Sequence, residues 1–137
     1  MPAFLGVDHI GIAVKQLDAA LNTYGDVLGF PLVGGERLPE RGIEATFVDS
    51  GGPRIELLAP LHEKSEISTF LHKRGEGLHH ICLKVADLPA LLAHLQKSGV
   101  HVIANSSTGV GGRPVAFIHP KSAHGVLVEL VAAASNG

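Results

Sequence analysis

The segment Asp8-His9-Ile10-Gly11-Ile12-Ala13-Val14 occurs a second time, in altered form, as His79-His80-Ile81-Cys82-Leu83-Lys84-Val85. A second pair is related in the same way, because Arg54-Ile55-Glu56-Leu57-Leu58 recurs as Leu127-Val128-Glu129-Leu130-Val131. The offsets nearly agree, with 71 residues from His9 to His80 and 73 from Glu56 to Glu129. This repetition predicts two copies of one supersecondary unit, each opening on a strand with one His and closing on a strand with one Glu.

The pattern of apolar residues gives both copies the same order of elements: a strand, a helix and then further strands. In the first copy we expect a strand, a helix and three strands, at Val7–Val14, Gln16–Leu28, Phe30–Val33, Ala45–Asp49 and Arg54–Leu58. In the second copy the same order falls on His79–Val85, Leu88–Ser98, Val102–Ile103, Pro114–Ile118 and Val126–Val131. Between them a short helix around Ile67–His72 is predicted, with Ser65 as its cap. The sequence therefore predicts a single α+β domain over residues 1–137, built of two modules at about 5–60 and 78–132.

The composition excludes several classes of partner. The chain has 137 residues and a formal net charge of −2, which gives no electrostatic reason to expect nucleic acid or an anionic membrane. No apolar run approaches the length of a membrane span, and the single cysteine, Cys82, cannot form an internal disulfide. We expect a soluble, cytoplasmic protein.

The repeated His and Glu residues are candidate metal ligands. Alternate side chains of a strand share a face, so His9 points away from Asp8, and His80, which aligns with His9, points away from His79. Glu56 and Glu129 lie between large aliphatic residues, where an unpaired carboxylate would be costly to bury. One divalent cation would offset that cost. The nitrogen and oxygen donors suit cobalt, zinc, manganese, nickel or iron(II) and do not choose among them.

Each of these four residues has an ordinary alternative interpretation. A single His in a strand is more often a satisfied or exposed residue than a ligand. A single Glu between aliphatic residues usually lies on the solvent face. The recurrence of both residue types at matching positions favours the metal site.

The repeat, the His and Glu placement and the module order resemble the vicinal oxygen chelate superfamily (glyoxalase, bleomycin resistance protein and dioxygenase). Within it the likeness is to the methylmalonyl-CoA epimerases, most specifically in His119-Pro120-Lys121-Ser122-Ala123-His124-Gly125 before the last strand. The resemblance implies paired βαβββ modules in an open, cup-shaped β-barrel around one divalent metal. It places the metal ligands on His9, Glu56, His80 and Glu129, and it implies a homodimer.

The resemblance also implies a reaction, the interconversion of (R)- and (S)-methylmalonyl-CoA, or of another acyl-CoA thioester, through an enolate. Glu129 resembles the first acid/base group of that family. The family's second catalytic Glu stands three residues after the Gly of a Glu-x-Gly segment. Here Glu40-Arg41-Gly42 matches, but the third residue after Gly42 is Ala45 and the carboxylate is Glu44. Glu44 reaches the site only if a bulge after Gly42 turns it inward.

Three residues near the end of the chain are candidates for contact with coenzyme A: Arg113, Lys121 and Ser122. Arg and Lys suit the phosphates as fork donor and point charge. The glycines of Gly109–Gly112 could let that loop close over substrate, or could form an ordinary hairpin turn. Two other functions remain open: a glyoxalase I-type lyase acting on a glutathione hemithioacetal, and a non-catalytic drug-binding protein of the bleomycin-resistance type.

Overall fold

The computed structural model describes residues 3–103 and 112–133. The regular elements of this part of the chain are β1 (Phe4–Ala13), α1 (Leu17–Leu21), β2 (Leu32–Leu38), β3 (Ile43–Asp49), β4 (Arg54–Pro60), α2 (Glu66–Arg74), β5 (Gly77–Val85), α3 (Leu88–Lys97), β6 (Val102–Ile103), β7 (Val115–Ile118) and β8 (Val128–Ala132). They form two compact units: His9–His79, called here the Glu56 unit, and Met1–Asp8 with His80–Gly137, called here the Glu129 unit.

In the Glu56 unit the strand order is β2-β3-β4-β1. β1 runs parallel to β4, with His9 opposite Arg54 and Ala13 opposite Leu58. β2, β3 and β4 pair antiparallel. The helix α1 and the segment Asn22–Val27 that follows it cover one face of this sheet, where Leu17 and Tyr24 pack against the buried Leu57. The opposite face is therefore the one that can carry a functional site.

The Glu129 unit repeats this arrangement. β5 runs parallel to β8, which pairs antiparallel with β7, and β7 pairs with β6. The helix α3 packs one face, through Leu88 and Leu91 against Val85 and Leu130. Its start is fixed by Asp87, whose Oδ1 accepts a hydrogen bond from the backbone N–H of Ala90 at 3.0 Å.

The first strand contributes to both units, because the boundary falls between Asp8 and His9. In the Glu129 unit the end of β5 is tied to the N-terminal segment by a hydrogen bond from the N–H of Ala86 to the C=O of Ala3, at 3.1 Å. Each predicted module is continuous in the sequence. In the structure, by contrast, the Glu129 unit combines the residues up to Asp8 with those from His80 onward, so the first half of β1 lies in a different unit from the second half.

The predicted elements are confirmed in type and order, with one difference in the first helix. The expected helix Gln16–Leu28 is α-helical only over Leu17–Leu21 and continues as a π-helix over Asn22–Val27. There the N–H of Leu28 bonds to the C=O of Thr23 at 2.9 Å, a wider turn. Asn22 and Gly25 are weak α-helix formers, which favours this departure. Ser65 caps α2 as predicted, since its Oγ accepts from the N–H of Ser68 at 3.1 Å.

None of the helices in residues 3–103 and 112–133 combines the length and the apolar character needed to cross a membrane.

Candidate metal centre

His9 and Glu56 form the first donor pair. β1 and β4 are parallel neighbours, and Gly11 lies opposite Glu56. Because His9 and Gly11 share a face of β1, the imidazole and the carboxylate project from the same side of the sheet. His9 Nε2 lies 3.3 Å from Glu56 Oε1, and the two residues are only 5% and 3% exposed.

His80 and Glu129 form the second pair, in the same way. β5 and β8 are parallel, and Cys82, which shares a face with His80, lies opposite Glu129. His80 Nε2 lies 3.0 Å from Glu129 Oε1, and each residue is 6% exposed. The His and Glu residues that recur in the sequence therefore form the same kind of buried pair in each unit.

Both pairs fit a transition-metal ion. With ligand bonds of about 2.1 Å, two donors in neighbouring positions lie about 3.0 Å apart in an octahedron and about 3.4 Å apart in a tetrahedron. The distances of 3.3 and 3.0 Å agree with this range. They also suit an N–H···O hydrogen bond, which satisfies a buried carboxylate and imidazole without an ion. The donor set, one imidazole nitrogen and one carboxylate oxygen in each unit, is suitable for zinc, cobalt, manganese or nickel.

A phenylalanine lies beside the Glu of each pair. Phe47 in β3 stands opposite Glu56, and Phe117 in β7 stands opposite Glu129. The edge of Phe47 contacts His9, with ring centroids 5.6 Å apart and planes at 84°. Neither phenylalanine was predicted from the sequence as a site residue. The signal was present, because Ala45-Thr46-Phe47-Val48 recurs as Val115-Ala116-Phe117-Ile118.

The structure does not bring Glu44 to the donor face. β3 and β4 pair without a break from Ile43 opposite Pro60 to Asp49 opposite Arg54. There is thus no bulge after Gly42 in this ladder. Glu44 stands opposite Ala59, on the face that packs against α1, whereas the buried Ala45 lies on the face of Glu56. The inward orientation on which a catalytic Glu44 depends is not found.

Arg113 is held by a carboxylate. One terminal nitrogen of its guanidinium lies 3.2 and 3.4 Å from the two oxygens of Asp8. The Asp8 side chain is 8% exposed and that of Arg113 is 26% exposed. Asp8 precedes the ligand candidate His9 and points to the other side of β1. The glycines before Gly112 in the expected substrate loop lie outside the described residues.

The His119-Pro120-Lys121-Ser122 segment forms a short 3₁₀ turn over Pro120–Ser122. The Nδ1 of His119 accepts from the N–H of Lys121 at 3.0 Å, and the Oγ of Ser122 accepts from the N–H of His101 at 2.9 Å. The rings of His101 and His119 stack with centroids 4.8 Å apart. Lys121 is exposed, so its ammonium group faces solvent. The Ser122 hydroxyl, by contrast, is already bound to the backbone of His101.

Comparison with known families gives one match to most of the chain. The profile of the glyoxalase/bleomycin resistance protein/dioxygenase superfamily matches residues 8–117. This range includes three of the four ligand candidates, His9, Glu56 and His80.

Individual proteins also match over nearly the whole chain. The mitochondrial methylmalonyl-CoA epimerase of Mus musculus is 39% identical over 126 residues, which cover 90% of this chain and 71% of the mouse protein. The crystal structure of methylmalonyl-CoA epimerase from Mycobacterium tuberculosis is 40% identical, with a TM-score of 0.90 over 98% of this chain and 94% of that one. A Streptomyces coelicolor methylmalonyl-CoA epimerase variant in complex with 2-nitronate-propionyl-CoA is 36% identical, with a TM-score of 0.89 over 97% of this chain and 100% of that one.

Proposed function

Since this chain belongs to the glyoxalase/bleomycin resistance protein/dioxygenase superfamily, and within it to the methylmalonyl-CoA epimerase family, we propose that it interconverts the two epimers of methylmalonyl-CoA. The chain is thus an isomerase. The observation that carries the proposal is the buried His/Glu pair in each unit, 3.3 and 3.0 Å between nitrogen and oxygen, because proton transfer beside a thioester needs a site that stabilises an enolate.

The two pairs together bind one divalent ion in this proposal. The ligands are His9, Glu56, His80 and Glu129, and the two modules form the cup-shaped barrel of a single domain over residues 1–137. When bound, the cation stabilises the negative charge that develops on the thioester oxygen. Its identity stays open between cobalt, zinc, manganese and nickel, since imidazole and carboxylate accept all four.

Glu129 carries the proton on one face of the substrate. Its Oε1 faces His80 at 3.0 Å, so we assign the transfer to the other carboxylate oxygen. The α-carbon loses its proton to that oxygen and the intermediate becomes planar. Return of a proton to the opposite face inverts the configuration. A general base of this kind must lie within hydrogen-bond reach of the proton that it removes.

The opposite face lacks the carboxylate that the resemblance implies. Ala45 occupies the donor face at that position, and Glu44 points to the helix side. Neither side chain can exchange a proton there. In this proposal a water molecule delivers the proton to the second face, and the hydroxide that remains is neutralised by the proton that Glu129 releases to solvent. The incoming hydrogen therefore comes from solvent.

The remaining parts of the proposal concern coenzyme A and the assembly. Lys121, whose ammonium group is exposed, binds a phosphate group, and Arg113 binds a second one while Asp8 holds its guanidinium in place. Ser122 does not contact coenzyme A in this proposal; its hydrogen bond to His101 holds the turn on which Lys121 lies. We also propose that the protein is a cytoplasmic homodimer.

The decisive experiment follows the α-proton of methylmalonyl-CoA in heavy water, after the metal-free protein has been loaded with cobalt, zinc, manganese or nickel. We expect deuterium uptake together with equilibration of the two epimers. Absence of both, with turnover of the methylglyoxal–glutathione adduct, would replace the proposal with a glyoxalase I-type activity. Absence of all turnover, with tight binding of bleomycin, would indicate a drug-binding protein.

A further inference from the structure

The paired strands β6 and β7 of the Glu129 unit end beside a stacked pair of histidines. Val102 lies opposite Ile118 in their antiparallel ladder. The N–H of His119 donates to the C=O of His101 at 2.9 Å, which extends this ladder by one step. Side chains directly opposite each other in such a ladder have Cβ atoms about 5 Å apart. The two rings are parallel, with an interplanar angle of 1° and centroids 4.8 Å apart. The register of the strands therefore produces the stack.

The stack lies on the same face of the sheet as Glu129. His119 has an extended backbone and comes two residues after Phe117, which stands opposite Glu129 in the ladder of β7 and β8. Alternate residues of a strand project from the same side, so the His119 ring lies on the donor face. Among the described strands of this unit β6 is the outermost, and His101 is exposed whereas His119 is half-buried. The ring of His101 thus presents its outer face at the edge of the sheet.

Backbone contacts hold the stack in place before any ligand binds. The N–H of His101 donates to the Oγ of Ser122 at 2.9 Å, and its C=O accepts from His119. The Nδ1 of His119 accepts from the N–H of Lys121 at 3.0 Å, which fixes the inner ring. Lys121 is exposed and lies two residues from His119. An aromatic surface that is ordered in advance, with a cation beside it, loses little conformational entropy on binding.

From this geometry we infer that the His101 ring stacks on the adenine of the acyl-CoA substrate while Lys121 binds one of its phosphates. The inference rests on the proposed function, and it names the part of coenzyme A that this end of the sheet binds. Stacking on an aromatic side chain uses the π face that every nucleobase has. The ammonium group of Lys121 attracts a phosphate as a point charge. A flat ring joined to phosphates is the ligand that this combination fits.

The distance between the stack and the reacting group suits coenzyme A. Neighbouring strands are about 4.8 Å apart and two residues of a strand span about 7 Å, so a base stacked on His101 lies about 15 Å from Glu129. The thioester binds beside Glu129 in the proposed function. The pantetheine arm and the pyrophosphate, which separate the thioester from the adenine, are long enough to bridge this gap.

The test compares a substrate that carries the nucleotide with one that lacks it. Rates are measured with methylmalonyl-CoA and with methylmalonyl-pantetheine, and binding of adenosine 3′,5′-bisphosphate to the metal-loaded protein is measured by calorimetry. His101→Leu removes the π face but keeps an apolar side chain, and His101→Phe keeps a π face. Both retain the backbone bonds of His101. His94→Leu is the matched control, because His94 is a partly exposed histidine of α3 in the same unit.

We expect His101→Leu to raise KM for methylmalonyl-CoA and Kd for the bisphosphate by about 5- to 50-fold, the usual worth of stacking on one base. With methylmalonyl-CoA kcat should change by less than about twofold, and KM for methylmalonyl-pantetheine should also stay within about twofold, because the stack takes no part in proton transfer. His101→Phe should stay within about threefold of wild type, since it keeps the π face. His94→Leu should match wild type. If His101→Leu does not fold, His101→Ser, which is polar and has no ring, takes its place.

Equal losses for methylmalonyl-CoA and methylmalonyl-pantetheine would overturn the inference and assign His101 to the fold. Equal values in His101→Leu and His101→Phe, whether lowered or unchanged, would overturn it because the π face would then not be what binds. Weaker binding of the bisphosphate with an unchanged KM for methylmalonyl-CoA would overturn it in favour of a site for free nucleotides. Failure of the proposed function is a separate result, because it would appear as absence of α-proton exchange in the metal-loaded wild-type protein, whereas binding of the bisphosphate needs no turnover.

Discussion

Glu44 and Glu56 project from opposite faces of one sheet, although they lie on neighbouring strands. Glu44 stands opposite Ala59 and Glu56 stands opposite Phe47, and the ladder between β3 and β4 is unbroken from one to the other. An odd separation in a regular strand reverses the face of a side chain. The relationship decides which carboxylates can act at the site.

Glu44→Gln should therefore change the rate of epimerisation by less than about twofold, since a positioned acid or base is worth about 10²–10⁴-fold and Glu44 occupies no such position. Initial rates with methylmalonyl-CoA at saturating metal are the measurement. A loss of tenfold or more, with metal content unchanged, would show that Glu44 reaches the substrate and that β3 rearranges on binding.

Glu129→Gln should lower turnover by about 10²–10⁴-fold, because the amide cannot accept the α-proton. The amide oxygen can still act as a ligand, so the substitution separates proton transfer from metal binding better than Ala would. Metal content has to be measured on the same sample. Turnover within tenfold of wild type, with full metal occupancy, would assign the proton transfer to another group.

One divalent ion per chain should be found by elemental analysis, and His9→Ala and His80→Ala should each abolish tight binding. The reason is that each substitution removes one of four proposed ligands, one from each unit. Acidification should release the ion as well, because protonated imidazole has no lone pair for a metal. His94→Ala, which changes a histidine of α3, is the control and should keep the ion. Full occupancy in the His9→Ala/His80→Ala double variant would refute the site.

Arg113→Met should lower the free energy of unfolding by about 1–3 kcal/mol, because it leaves the carboxylate of Asp8, whose side chain is 8% exposed, without this partner. Arg41→Met is the matched control. Its partner Glu66 has a side chain that is 54% exposed, so water replaces the arginine and the loss should stay within about 1 kcal/mol. Denaturant unfolding of both variants gives the comparison. Equal losses would indicate that the burial of Asp8 does not set the strength of its ion pair.

Gly42→Ala should destabilise the Glu56 unit more than Gly51→Ala. Both glycines have positive φ, +67° and +92°, which costs an L-residue about 1–2 kcal/mol. At Gly42 an added Cβ would lie 2.5 Å from Nε2 of His62 and 2.9 Å from Cβ of Ser65, whereas at Gly51 it would meet nothing within 4 Å. The difference in unfolding midpoint between the two variants measures this crowding. Equal midpoints would show that His62 moves aside without loss.

The repeat made most of the fold and both donor pairs predictable. Each pair joins the first and last strands of one copy, so a matching offset in the sequence becomes a parallel ladder with His and Glu on one face. Periodicity did not predict the π-helix at Asn22–Val27, because a π turn differs from an α turn by one residue and leaves the apolar spacing nearly unchanged.

The orientation of Glu44 could not be decided from the sequence for a different reason. A bulge changes the face of a side chain without changing which residues are present, so only the ladder partners settle it. The Asp8–Arg113 ion pair could not be predicted from the sequence either, since it joins residues 105 positions apart and belongs to no repeated pattern. The role of Ser122 in bonding His101 was hidden for the same reason.

The division of β1 between the units has a consequence for the history of the protein. Residues up to Asp8 belong with β5 and α3, and residues from His9 belong with β4. In a half-length precursor with one copy of the repeat, the first half of the first strand would thus have packed with a neighbouring chain and the second half with the last strand of its own chain. Such a chain would have been complete only as a strand-exchanged pair, and gene fusion would then have made the exchange permanent within one polypeptide. A present-day chain cut between His79 and His80 should accordingly regain its fold when the two fragments are produced together, and the second fragment, which lacks the N-terminal residues of the Glu129 unit, should not be stable alone.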